Sequence, residues 1–406
     1  MGEGMNNIEK RIIDVLNCSI KGGKLSNENL KDIDLKEFID RATEHSISGL
    51  LYSSIDWDFQ SEKDEELIKN WKLSTFYTGV HQIRHISQVE KIIKKFNEEN
   101  IRVIVLKGLV IREFYKNPEL RTMCDADILV HEEDLDKARK VLTSLDYSES
   151  EEYDEHGAHI VFEHKNHLAV EVHWTLINDD YFNGSKEFEK SIWDNAIKVK
   201  IGNTEALSLG WDDLALHLCI HMAVHIVHRG FGVRQLVDLV ILLKNKGDEI
   251  NWNEFHRKAI ECKVNKFVII IFNVCKELFG MEIPSEVNDG YEVERSFLNK
   301  FIDEIIESGV YGHGDLAHDF GNDISNSEES NLKNFLSLLF PSLENMNDKY
   351  NYAKKFKILL PIAWIHHLFA GIFNKEYSLL DKFKFITLTY KKSNDKTKMI
   401  KWLELE

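Results

Sequence analysis

Asp125 and Asp127 stand one residue apart in an otherwise apolar run, Cys124 to Val130, behind an earlier glycine at Gly108. In a β-strand successive side chains alternate faces, so the two carboxylates project to the same side. Two acids that close raise each other's pKa unless a cation lies between them. A divalent ion is the natural cation, because Mg²⁺ takes carboxylate and phosphate oxygens. A third acid, Glu171, sits in a second apolar run from Leu168 to Trp174. If that run pairs beside the first, three acids converge. That is a ligand set for two metals, roughly 3.5–4 Å apart, of the kind that serves nucleotidyl transfer. Asp125 and Asp127 would hold both metals. Glu171 would complete the one nearer the acceptor and could receive the proton of the attacking hydroxyl.

Upstream, an apolar strand ends at Lys107 and Gly108. Glycine lets a phosphate approach the backbone, and the next residues begin a helix whose N-terminus favours anions. Lys107 could hold a triphosphate as a point charge. The plainer reading is an ordinary strand-to-helix turn. Arg112 and Arg121 are further cationic candidates. Arg121, four residues before Asp125, fits a phosphate contact or a structural ion pair. His217, His221, His225 and His228 fall on one face of a helix. They have no acid or cysteine partner that would specify zinc, so they either line the cleft or pack at an interface. His173, two residues past Glu171, shares its face and reads as a hydrogen-bonded structural histidine. Arg234 and Asp238 are spaced as a helical i, i+4 ion pair.

Together these residues resemble the DNA polymerase β-like nucleotidyltransferase superfamily: a glycine turn, a gap, Asp-x-Asp on a strand, and a later acid on a strand. Leu106 to Gly108, Tyr115, Pro118, Arg121, Asp125 to Val130 and Val170 to Trp174 are similar to a bacterial branch of uncharacterised nucleotidyltransferases. So is the later series Asp213, His217, His221, His225, Arg234, Asp238 and Leu239. The likeness covers roughly residues 40–280. It implies an α+β fold, with a polymerase-β-like mixed sheet, covering helices, and helical regions on both flanks. It implies metal-dependent transfer of NMP from NTP, using Mg²⁺ or Mn²⁺, with pyrophosphate released. Asp125, Asp127 and Glu171 would be the catalytic metal ligands, and Lys107, Gly108 and Arg121 the nucleotide contacts. His221, His225, Arg234 and Asp238 would line the cleft. Lys107-Gly108 replaces the Gly-Ser usual at the phosphate turn, and Glu171 replaces the more usual aspartate. The rival class is an inactive protein that binds a nucleotide or partner on the same fold; metal dependence of NTP binding separates the two.

Composition narrows the partners. The net charge of −17 repels phosphate backbones, so the expected acceptor is a small molecule, peptide or protein rather than a nucleic acid. The oligomeric state is left open. Five cysteines without Cys-x-x-Cys spacing predict free thiols and a cytoplasmic setting. No apolar leader is visible at the N-terminus. The longest apolar stretch, 358–373, contains Pro361 and two histidines and is too short to span a membrane.

The elements that must position the acids follow from periodicity. Residues 1–100 read as helical, ending in a long helix over 67–97 whose apolar rhythm includes Trp71, Leu73, Phe76, Val80, Ile83 and Phe96. The catalytic core spans 101–205. It has strands at 102–106, 124–130, 159–164, 168–174 and 196–200, and helices at 109–116 and 132–145. A helical domain occupies 206–308, with Gly280 as a helix stop. A loop rich in Gly, Asn and Ser covers 309–333, and a C-terminal helical region covers 334–406.

Overall fold

The computed structural model describes residues 4–57, 64–150, 159–176, 185–228, 230–288, 290–309, 352–353, 359–364 and 396–405. They fall into two units, Met1–Val224 with Phe231–Val310, and His225–Gly230 with Tyr311–Glu406.

The first unit opens with α1 (Asn7–Ile20), β1 (Leu25–Ser26), α2 (Leu35–Glu44), α3 (Ser48–Ser53), β2 (Ile55–Asp56) and α4 (Glu65–Glu98). A capping box starts α1: Asn6 Oδ1 accepts from the Ile8 and Glu9 amides, and Glu9 accepts from the Asn6 amide. β1 and β2 form a small parallel pair. The long α4 buries Trp71, Ile86, Val89, Ile92, Ile93 and Phe96. Leu73, Phe76 and Ile83, which the apolar rhythm placed with them, are exposed instead. A single helix of 34 residues drifts around its own axis, so one sequence rhythm does not track one buried face throughout.

The sheet comes next: β3 (Val103–Val105), α5 (Gly108–Ile111), β4 (Asp125–Val130), α6 (Leu135–Ser144), β5 (Ser148–Glu149), β6 (His159–His164), β7 (His167–His173), α7 (Ser185–Ile192), β8 (Ile197–Ile201) and β9 (Thr204–Ser208). Seven strands form one mixed sheet in the order β5-β6-β7-β4-β3-β9-β8. β4 lies in the middle, parallel to β7 and antiparallel to β3. A central strand covered on both faces needs a nearly unbroken apolar run, and every residue from Ala126 to Val130 is buried. The expected α+β class with a mixed sheet and covering helices is what the chain adopts. β9, pairing parallel with β3, was not anticipated. The helix expected over 109–116 is only one α turn, followed by 3₁₀ turns at Arg112–Phe114 and Pro118–Leu120. It stops because Tyr115 goes extended, at φ −77° and ψ 146°, and its hydroxyl is held by Asp238.

Five helices complete this unit: α8 (Trp211–His228, through Val224), α9 (Val233–Lys246), α10 (Trp252–Glu261), α11 (Asn265–Phe279) and α12 (Arg295–Ser308). Gly280 ends α11 in the left-handed conformation at φ +66°, as expected. Lys258 of α10 is buried against Asp212 and Asp213 of α8. His45 ties α2 to two other helices, through the Ile306 carbonyl and the Val233 amide.

In the second unit, Ala353 and Ala363 are buried against Tyr352, Leu360 and Trp364, and a helical stretch covers 396–403. The loop at 309–333, most of the apolar stretch 358–373 and most of the C-terminal helical region lie outside the described residues. All five cysteines are free thiols. Among the described residues no helix is long and apolar enough to cross a membrane.

Candidate active site

Strand register assembles the acids. In the parallel pair β4–β7, Asp127 faces Glu171 and Asp125 faces Ala169. Alternation then places Asp125, Asp127, Glu171 and His173 on one side of the sheet. Lys107, at the end of β3, sends Nζ to Asp127 Oδ1 at 2.9 Å. It does so from a backbone at φ +41° and ψ −113°, a region that L-residues with a Cβ avoid. His173 Nε2 lies 3.1 Å from Asp127 Oδ1 and 3.5 Å from Glu171 Oε2. On β6, His159 packs its ring 4.9 Å from that of His173.

The electrostatics are those of a cluster short of positive charge. Burial, then the charges of Asp127 and Glu171, pushes Asp125 up to about 7. Burial also works upward on Asp127, but Lys107 and His173 outweigh it and hold that carboxyl well below the usual range. Burial alone would lower His173, yet its hydrogen bonds to Asp127 and Glu171 raise it. Lys107 is likewise raised, the pull of Asp127 and Glu171 overcoming burial. Fully ionised and with the histidine neutral, three carboxylates against one ammonium would carry two negative charges, an excess that the raised Asp125 and His173 relieve by holding protons. That balance, with all-oxygen donors, fits a divalent cation.

The helices supply a wall. His217 of α8 is buried, with neither ring nitrogen hydrogen-bonded. Burial, and then the nearby charge of Lys107, lowers it to about 3. Asp127 and His173 are also within its electrostatic reach. His221, one turn further, sets its ring 6.4 Å from His217. Arg234 of α9 donates to the Thr122 carbonyl at 2.9 Å, and its charge is felt at Asp125.

The segment entering β4 is pinned at consecutive residues. Arg121 is buried and forks onto Asp238 of α9, through Nε at 3.1 Å and Nη2 at 2.5 Å. Tyr115 donates to the same carboxylate at 2.7 Å. Thr122 Oγ1 donates to the Ser46 carbonyl at 2.9 Å. Gln82 of α4 accepts from the Met123 amide and donates to the Met123 carbonyl, at 3.1 and 2.9 Å. Gly108 belongs to this assembly: a Cβ there would collide with Arg121, whose Cζ would be 2.9 Å away. The guanidinium therefore fills the space over Gly108.

The expected residues thus have distinct places. Asp125, Asp127, Glu171 and Lys107 come together. Arg121 is engaged by Asp238 and spans sheet to helix. Arg234 and Asp238, spaced i, i+4, each reach back to the segment before β4, Arg234 to the Thr122 carbonyl and Asp238 to Arg121. His225 belongs to the second unit. Sequence reasoning gave His173 a structural role, although its position two residues past Glu171 already put it on the acid face. It left out His159 and Gln82. His159 reaches the site through a bulge in the β6–β7 hairpin, for which the sequence carries no signal.

A family model, that of uncharacterised nucleotidyltransferases, matches residues 31–280. This is more than half of the 406 residues, and the chain belongs to that family. No curated protein matches it in sequence. Among solved structures it is similar to the antibiotic-resistance factor ANT(2'')-Ia in solution. That match has 12% identity over 41% of this chain and 87% of the other, with a TM-score of 0.32. A crystal structure of ANT(2'')-Ia in complex with adenylyl-2''-tobramycin is similar at 13% identity over 40% and 90% of the two chains, with a TM-score of 0.30. Likeness at this level adds nothing to the family assignment.

Proposed function

We propose that this protein transfers a nucleoside monophosphate from an NTP to a hydroxyl or similar group on a small molecule, peptide or protein. The convergence of Asp125, Asp127 and Glu171 with Lys107, facing His217 and Arg234, carries this reading. The acceptor oxygen attacks the α-phosphorus, the bond from that phosphorus to the bridging oxygen breaks, and pyrophosphate leaves. Asp125, Asp127 and Glu171 would hold Mg²⁺ or Mn²⁺. A divalent ion bound there neutralises phosphate charge and makes the attacking hydroxyl more acidic. Lys107 contributes a fixed positive charge beside the phosphates, already positioned by its backbone. Glu171 accepts the proton of the acceptor hydroxyl at a carboxylate oxygen. His217 and Arg234 close the opposite side, excluding water and orienting the acceptor. With a net charge of −17, a nucleic-acid acceptor is disfavoured at long range.

The test is incubation with each α-labelled NTP, Mg²⁺ or Mn²⁺, and a cell extract. Mass spectrometry then identifies what gains a nucleotide, and pyrophosphate is measured in parallel. Label transfer that vanishes in Asp127→Asn is the expected result. NTP binding that does not depend on the metal, with no transfer in any extract, would make this a binding protein on a transferase fold.

A further inference from the structure

Beside the carboxylate pair of β4, a second donor set forms on the neighbouring hairpin. His159, Glu171 and His173 bring one ligand atom each to within 4.8 Å of one another. Zinc bonds to nitrogen and oxygen of about 2.0–2.2 Å imply tetrahedral ligand–ligand edges of about 3.3–3.6 Å. The 3.5 Å from His173 Nε2 to Glu171 Oε2 falls within that range.

The placement depends on one irregularity. At the hairpin end His164 pairs with His167, but past the bulge Phe162 pairs with Val170 and His159 with His173. Continuing the first register would put His159 opposite Val172, with its ring on the other face of the sheet. The extra residue brings the two imidazoles together, their rings tilted by 33°. Bulges commonly re-aim a side chain next to a site.

We propose that His159 and His173 join Glu171 to bind a Zn²⁺-type ion at the position nearer the acceptor, while Asp125 and Asp127 take Mg²⁺ at the other. This deepens the function proposed above and rests on its reading of Glu171 as a metal ligand. Two imidazoles and one carboxylate favour borderline ions over Mg²⁺. Three protein donors leave a fourth position open, the pattern of reactive rather than structural zinc. Asp127 Oδ1 lies 3.1 Å from the same His173 Nε2, a contact that gives way when that nitrogen takes the ion.

Co²⁺ serves as the visible probe for Zn²⁺. The full-length protein is freed of metal by chelation and titrated with Co²⁺ alone, without nucleotide. The expected result is a visible absorption that saturates at about one equivalent and is abolished by Zn²⁺. His159→Ala should weaken Co²⁺ binding at least about tenfold, since even outer-shell losses cost that much. His159→Cys should restore binding and add a thiolate-to-cobalt charge-transfer band, which a packing role would not produce. His164→Ala, at the other end of the hairpin, should leave the titration unchanged. Absence of saturable absorption in the wild type overturns the proposal, as does His159→Cys without the new band. Mg²⁺-supported transfer by a protein lacking the Co²⁺ signal would sink this proposal and leave the function standing. A Co²⁺ site in a protein that transfers no nucleotide would do the reverse.

Discussion

Replacing Lys107 by glycine should leave a more stable protein than replacing it by alanine. Both variants lose the ammonium 2.9 Å from Asp127, so the broken ion pair cancels in the comparison. The backbone difference remains. At φ +41° and ψ −113°, any residue with a Cβ is strained, by an amount on the order of 1–3 kcal/mol. At an unstrained position glycine would instead be worse than alanine by about 0.4–1 kcal/mol, through unfolded-state entropy. The balance favours glycine by about 1 kcal/mol and by no more than ~2.5 kcal/mol. Urea unfolding in the presence of a chelator, followed by circular dichroism, reads this directly. With m near 2–3 kcal/mol/M, a difference of about 1 kcal/mol moves the midpoint by about 0.3–0.5 M. An alanine variant as stable as the glycine variant, or more so, would show that the turn is unstrained. Both variants should lose nucleotidyl transfer.

Asp125→Asn and Asp127→Asn should each lower transfer about a thousandfold, equivalent to ~4 kcal/mol, with circular dichroism unchanged; near wild-type pyrophosphate release would end the two-metal reading. Glu171→Gln should weaken transfer strongly while Glu171→Asp retains much of it, in the same assay; equal loss in both would count against a ligand role. Asp238→Leu strands the buried Arg121 charge and should destabilise the protein by about 3–5 kcal/mol in urea, whereas the triple variant Tyr115→Phe/Arg121→Met/Asp238→Leu, which also removes the hydroxyl that shares the carboxylate, should recover most of that loss. If the triple variant is no better than the single one, this cluster is not what holds α9 to the sheet. His85 is held by burial at about 4 against an ordinary 6.5, so it stays neutral in the fold while the unfolded chain protonates. Its contribution is fully present above pH ~6.5 and is lost as the pH falls towards 4, at about 1.4 kcal/mol per pH unit. His85→Leu should flatten stability over that window, and a wild-type–variant difference that does not vary from pH 7 to 4.5 would contradict this.

The acids and their strands were legible because two local regularities suffice: alternation along β4, and an apolar run long enough to be central. Their meeting with Glu171 needed only parallel pairing of β4 and β7. Contacts made across long sequence separations were hidden. Arg234 and Asp238 look like partners because they are one helical turn apart, yet each also serves a residue more than 100 positions away. The buried guanidinium of Arg121 takes the Asp238 carboxylate, and Arg234 joins Arg121 on the Thr122 carbonyl. Gly108 reads as a phosphate turn from its neighbours, and only the three-dimensional position of Arg121 reveals the steric reason for it. The bulge that sets His159 opposite His173 leaves no mark in composition.

The pinned segment before β4 also bears on how the molecule acquires its activity. Its partners lie 41, 76, 112 and 117 residues away along the chain, at Gln82, Ser46, Arg234 and Asp238. Closing loops of that length is costly before the contacts form, and such topology slows folding. Helices can form early from local signals, but the entry to the acid strand cannot lock until α4, the end of α2 and α9 have all docked. During refolding, return of transfer activity should therefore trail the return of helical signal. During synthesis, a nascent chain holds no finished site until α9 has cleared the ribosome, more than 100 residues after the aspartates themselves were made.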